Sequence, residues 1–377
     1  MIATNTKIWL SSPHMGGREQ FYVNEAFRTN WIAPLGPNVQ GFESDLENFL
    51  GGSHHVAALS SGTASLHLAL ILCGVGPGDI VLCQSFTFAA SANPITYLGA
   101  TPVFIDSEED TWNLSPELLE RSILDHLEKG IKPKAIIAVH LYGMPYKVNE
   151  IHQLSEKYNI PVIEDSAEAL GSRFNDQNCG TFGDLATLSF NGNKIITTSG
   201  GGALVSPSLS LKEKAVFLAT QARDHAPHYE HSNIGYNYRM SNVTAGIGRG
   251  QMEVLDDRVE VRRRNYMFYY DRLNVLEGVS FCQEPEGYYS NRWLTCILLE
   301  NTEMRERIRL YLDEHNIESR PLWKPMHLQP VFREKTAYVN GVSEKLFDKG
   351  LCLPSGSNLS EDDLNRITNL IFKAFEL

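Results

Sequence analysis

The stretch HVAALSSGTASLHLALILCGVGPGDIVLC, residues 55–83, decides the fold. His55–Leu59 reads as a short apolar strand, and Ser60-Ser61-Gly62-Thr63 as a turn able to cap a helix. Ala64, Leu66, Leu68, Ala69, Leu70 and Leu72 then place apolar side chains on more than one side of that helix, so it is expected to be sandwiched. Gly74 and the Gly76-Pro77-Gly78 turn stop it, and residues 80–83 form the next strand. The same rhythm continues outward, with strands over 102–106, 135–139 and 161–165 and polar helices over 116–128 and 148–158. Such alternation predicts an α/β fold with a mostly parallel central sheet and helices on both faces. Functional residues should collect at the carboxyl ends of its strands.

Past Gly202 the pattern changes. Helices are expected over 208–221 and 241–273, the second unusually long and suited to joining a large domain to a small one. A strand over 292–299, a helix over 303–315 and a final amphipathic helix over 361–375 complete a smaller C-terminal α+β domain. The expected division is 1–250 for an N-terminal segment and large domain, and 251–377 for the linker helix and small domain. The 377 residues carry 42% hydrophobic and 21% charged residues, ordinary for a soluble globular protein. A formal charge of −12 argues against nucleic acid as a partner, which would call for a basic face. No basic-then-apolar leader and no apolar run near membrane-spanning length is evident, so no membrane association is expected. The six cysteines are scattered without metal-finger spacing and read as reduced thiols of a cytoplasmic protein.

The chemistry centres on SFNGNKIITTSGGG, residues 189–202. An apolar strand end, an Asn-Gly turn, one lysine and a glycine run put Lys194 where a protein can make an amine nucleophilic. By position alone it reads first as a surface lysine in an Asn-Gly turn. Its neighbours shift the reading: Phe190, Ile195 and Ile196 are apolar, and Gly200, Gly201 and Gly202 permit close backbone approach. Asp165 ends the strand PVIED, where its carboxylate could hold a cationic ring nitrogen, while Glu164 should point to the opposite side. Together Lys194 and Asp165 suggest pyridoxal phosphate. Ser61-Gly62-Thr63-Ala64, before a helix, offers N–H groups and hydroxyls to a phosphate, and Ser189 another hydroxyl. Glu168 could reach the same site. Phe86 and Phe88 read either as a cover for the ring or as core packing. The Arg320-Pro321-Leu322-Trp323-Lys324-Pro325-Met326-His327 segment is a candidate for binding a phosphorylated or nucleotide-bearing substrate, and Asn30-Trp31-Ile32-Ala33 for contact with substrate or a second subunit.

With these blocks in order, the chain resembles the DegT/DnrJ/EryC1/StrS family of pyridoxal phosphate-dependent sugar aminotransferases along essentially its whole length. NGNKIITTSGGG and RPLWKPMH carry the resemblance most specifically, and it is tightest to the branch serving bacillosamine biosynthesis. The resemblance implies a fold-type I, aspartate aminotransferase-like architecture. It implies pyridoxal 5′-phosphate held as an internal aldimine on Lys194, with Asp165 at the ring nitrogen. Gly62, Thr63, Ala64 and Ser189 would hold the phosphate, Phe88 would stack on the ring, and Glu168 would lie near the cofactor. Asn237 would reach the cofactor phosphate of the neighbouring subunit, which implies a homodimer with shared active sites. Asn30, Trp31, Ile32, Ala33, Arg320, Trp323, Met326 and His327 would bind substrate. The implied reactants are L-glutamate and a UDP-linked 4-keto-6-deoxy-N-acetylhexosamine; a different nucleotide-linked keto-sugar, or a non-catalytic nucleotide-sugar-binding protein, are the alternatives. No metal is implied.

Overall fold

The computed structural model describes residues 6–376; residues 1–5 and 377, at the ends of the expected 1–250 and 251–377 divisions, lie outside it. An eight-stranded sheet forms the centre, in the spatial order 55–59, 202–206, 185–189, 162–165, 135–139, 80–84, 101–105 and 337–338. Gly202–Ser206 runs antiparallel to both neighbours, and every other adjacent pair is parallel. The sheet is therefore mixed by a single reversed strand. The expected α/β architecture with a mostly parallel sheet is what the chain builds.

The Gly62–Leu72 helix is buried through most of its length, with Ala64, Ser65, Leu66, His67, Leu68, Ala69 and Leu70 nearly all shielded from solvent. Its place between the sheet and the Leu209–Ala219 helix explains the all-round apolar pattern. Pro116–Glu128 begins where Ser115 caps it, its hydroxyl accepting from Leu118 N at 3.3 Å with proline at the first helical position. Val148–Tyr158 ends at Asn159 in the left-handed conformation.

The C-terminal part forms a four-stranded sheet, in the order 280–281, 295–298, 350–353 and 320–321, over a separate core that includes Tyr269, Ile297, Leu312 and Ile367. Two features depart from the sequence reading. The 241–273 segment is two helices, Asn242–Met252 and Leu255–Leu273. Val254, at φ −123 and ψ 10, leaves helical geometry between them, and Asp256 and Asp257 suit the start of the second helix. The C-terminal part also returns to the large sheet, where Ala337–Tyr338 pairs in parallel with Thr101–Ile105. Among the described residues no helix is long and apolar enough to cross a membrane.

Candidate active site

The carboxyl ends of the parallel strands open into a cavity of about 310 Å³. Strand ends supply it, Val139 among them. Leu59 leads to Ser60 and Ser61, Gln84 to Thr87 and Phe88, Asp165 closes its own strand, and Ser189 leads to Lys194. Ser61 is extended and caps the Gly62–Leu72 helix, its hydroxyl accepting from Ala64 N at 3.0 Å. The first turn of that helix, with unpaired N–H groups and a positive dipole end, thus faces the cavity. Gly62 lies close to Ser189, since a Cβ there would come within 3.1 Å of Ser189 Cβ.

Asp165 is buried and receives two protein donors, Ser91 Oγ at 2.7 Å on Oδ2 and Ala167 N at 3.1 Å on Oδ1. Burial raises its pKa above the ordinary carboxylate value, against the opposing effects of those two hydrogen bonds and of Lys194. A carboxylate in that state gains from a cationic N–H partner. Glu168 is buried beside it, Oε2 accepting from Tyr142 N at 2.7 Å and Oε1 standing 3.5 Å from Lys194 Nζ. Burial raises its pKa too, with Lys194 acting in the opposite sense. Glu164, one residue before Asp165, turns away into a knot with His140, Ser166, Gly180, Phe182 and Gly183. His140, Glu164 and Cys179 offer ligand atoms within 4.8 Å of one another, but those hydrogen bonds already occupy the carboxylate.

The structure thus brings together Gly62, Thr63, Phe88, Asp165, Glu168, Ser189, Lys194 and Trp323 around one cavity, with Ala64 in the adjoining helical turn. Phe88 is 56% exposed on its wall, with its ring centroid 5.6 Å from that of Trp323. Phe86, by contrast, is fully buried against Tyr142, so of its two readings core packing holds. The other sequence candidates do not line this cavity. Met326 is buried in the core packed against the large sheet. The His327 ring bridges Ser85 Oγ at 2.6 Å and Glu344 at 3.2 Å, pinning the loop. Arg320 is exposed and paired with Glu318 at 2.7 Å. Asn30, Trp31, Ile32, Ala33 and Asn237 lie on the surface outside the cavity of their own chain. Trp293, which the sequence reading missed, forms part of the wall beside Lys194.

Residues 13–372 match the model of the DegT/DnrJ/EryC1/StrS aminotransferase family. The chain belongs to this family. It is 54% identical over 373 residues to EpsN of Bacillus subtilis, to which a pyridoxal phosphate-dependent aminotransferase activity is ascribed, covering 98% of this chain and 96% of that protein. It is 38% identical over 354 residues to the GDP-perosamine synthase of Escherichia coli O157:H7, covering 93% and 94% of the two chains. A solved DegT/DnrJ/EryC1/StrS aminotransferase from Brucella abortus superposes with a TM-score of 0.88 at 31% identity, over 94% of this chain and 95% of that one. The family member described here is a fold-type I, pyridoxal phosphate-dependent sugar aminotransferase.

Proposed function

We propose that the enzyme transfers the amino group of L-glutamate to C4 of UDP-2-acetamido-2,6-dideoxy-α-D-xylo-hex-4-ulose. The products would be UDP-4-amino-4,6-dideoxy-N-acetyl-α-D-glucosamine and 2-oxoglutarate. The observation carrying the chemistry is the meeting of Lys194 Nζ, the buried Asp165 carboxylate and a capped helix N-terminus on one cavity. That donor set fits the cofactor: an amine for its aldehyde, an anion for its ring N–H and backbone donors for its phosphate. Bound pyridoxal phosphate would supply the aldehyde that takes up amines and the ring that withdraws electrons from the adjacent carbon.

Lys194 would hold the cofactor at rest, yield to the amino donor, and carry a proton on Nζ between the substrate carbon and the cofactor carbon. Asp165 would keep the ring nitrogen protonated. Gly62, Thr63, Ala64 and Ser189 would receive the phosphate, and Phe88 would cover the ring. Glu168, 3.5 Å from Nζ, would orient the amine. Trp323 would meet the sugar from the cavity wall, while Met326 and His327 seat its loop from behind. L-Glutamate and the keto-sugar would enter in turn, with the nucleotide providing binding energy.

We read the active form as a homodimer with shared sites. Trp31, Ile32 and Leu35 are exposed apolar residues at 43%, 50% and 58% on a surface segment, suited to contact with a second subunit. From there Asn30 to Ala33, with Asn237 and Arg320, would complete the partner's site. Likeness to a GDP-perosamine synthase favours a nucleotide-linked sugar and leaves another such keto-sugar as the second reading. NMR of the product formed from glutamate and the UDP-4-keto-sugar tests the assignment. Turnover confined to a 3-keto sugar or to another nucleotide would reject it.

A further inference from the structure

Trp293 precedes the Thr295–Leu298 strand of the small sheet, far along the chain from the lysine turn, and is 1% exposed. Three contacts converge on it. Lys194 Nζ stands 4.2 Å from the centroid of its ring. Its indole Nε1–H donates to Asn193 O at 2.7 Å, the carbonyl immediately before Lys194. Its own carbonyl accepts from Arg262 Nη1. Arg262 Nη2 also donates to Ser11 Oγ at 2.9 Å, and that hydroxyl donates to the same Asn193 carbonyl at 2.7 Å. One buried guanidinium therefore steadies both donors that hold the lysine turn. Burial, with Arg258 nearby, lowers the Arg262 pKa to about 9. Tyr142 lies beside the indole, with centroids 6.4 Å apart and planes within 18°, and its hydroxyl accepts from Trp323 N at 2.8 Å.

We propose that Trp293 is the positioning residue of the catalytic lysine: its ring face seats the Lys194 amine whenever that amine is not bonded to the cofactor, and its indole N–H fixes the turn that presents it. The inference rests on reading Lys194 as the cofactor-bearing residue. A displaced lysine must stay within reach, and it becomes a cation when Nζ accepts the proton from the substrate carbon. An aromatic face stabilises that cation without competing for the proton. Glu168 stands near the same amine and burial raises its pKa, so the ring is the one of these two contacts whose character does not depend on protonation.

The test uses the full chain freed of cofactor and labelled briefly with acetic anhydride at constant pH, each lysine being read by mass spectrometry. Trp293→Leu should raise labelling of Lys194 several-fold, leave the exposed Lys157 unchanged, and be mirrored by Trp293→Met, which keeps more volume. Trp293→Phe retains the ring face and should retain most of the protection. In the holoenzyme, Trp293→Leu should lower kcat about tenfold with little change in KM for glutamate. The isotope effect on α-deuterated glutamate should rise, because proton transfer loses its seat. Wild-type labelling and isotope effects in both the Leu and Met variants would overturn the proposal, and a Phe variant that falls as far as they do would overturn the seat on the ring face. A wild-type enzyme with no borohydride-trappable bond at Lys194 would instead overturn the lysine assignment beneath it.

Discussion

Gly202→Ala tests the close backbone approach that the glycine run permits. A Cβ on Gly202 would meet Ser61 C, Ser61 O and Gly62 N, all of them backbone. No flexible side chain can yield there. The strand cannot retreat either, because Gly202–Ser206 is paired along both edges, with His55–Leu59 and with Leu185–Ser189. The Ser61-Gly62 turn must therefore move, by about 1 Å, and such overpacking costs about 2–3 kcal/mol. The N–H groups at the head of the Gly62–Leu72 helix move with the turn. A displacement of that size in positioning groups weakens them by about tenfold to a hundredfold. Titration of the cofactor-free variant with pyridoxal phosphate, followed by absorbance, should show the dissociation constant rising by about that factor, with a lower Tm. Gly200→Ala is the control, since a Cβ there meets nothing within 4 Å, and its stability should stay within about 1 kcal/mol. Wild-type cofactor affinity and Tm in Gly202→Ala, or an equal loss in Gly200→Ala, would refute the packing argument.

Lys194→Ala should lose the cofactor bond and nearly all turnover while remaining folded by circular dichroism; near-normal transamination would remove it from the mechanism. Asp165→Asn should depress turnover yet stabilise the cofactor-free chain at neutral pH. The folded pKa of Asp165 is raised, so its ionisation opposes folding as pH rises through that value, and the gain should vanish below the ordinary carboxylate pKa in denaturant titrations. A variant equally destabilised at neutral and acid pH would contradict this. Mixing Lys194→Ala with Asn237→Ala chains should restore activity that neither homodimer has, because one site of each mixed dimer is complete. No recovery after confirmed subunit exchange would count against sites shared through Asn237.

Much of the fold was legible because local signals agreed with one another. Ser115 followed by proline, and the run of Ala and Leu after Ser61, define helices whose caps and burial match their patterns. The break at Val254 was not legible, since the apolar period continues through it. Asp256 and Asp257, the acids of a helix start, were the available signal. The site divides in the same way. Ser61, Asp165 and Lys194 are each set by the end of a neighbouring strand, which sequence can place. Trp293 reaches the cavity from the small sheet, through a contact between distant segments that no local pattern records. Phe86 and Phe88 look alike in sequence, yet one is buried and the other exposed, because the loop turns between them. The aromatic and basic character of residues 320–327 suggested substrate contact throughout. Met326 N instead donates to Ser85 O at 2.8 Å and carries its side chain into the core, leaving Trp323 at the cavity.

The central claim is that the amine of residue 194 carries the cofactor. Reduction of the purified holoenzyme with borohydride, followed by digestion and mass spectrometry, reads it directly. The account predicts one pyridoxyl-modified peptide, spanning the NGNKIITT turn and modified at Lys194. The adduct on any other lysine, or none on an enzyme that still transaminates, would contradict it.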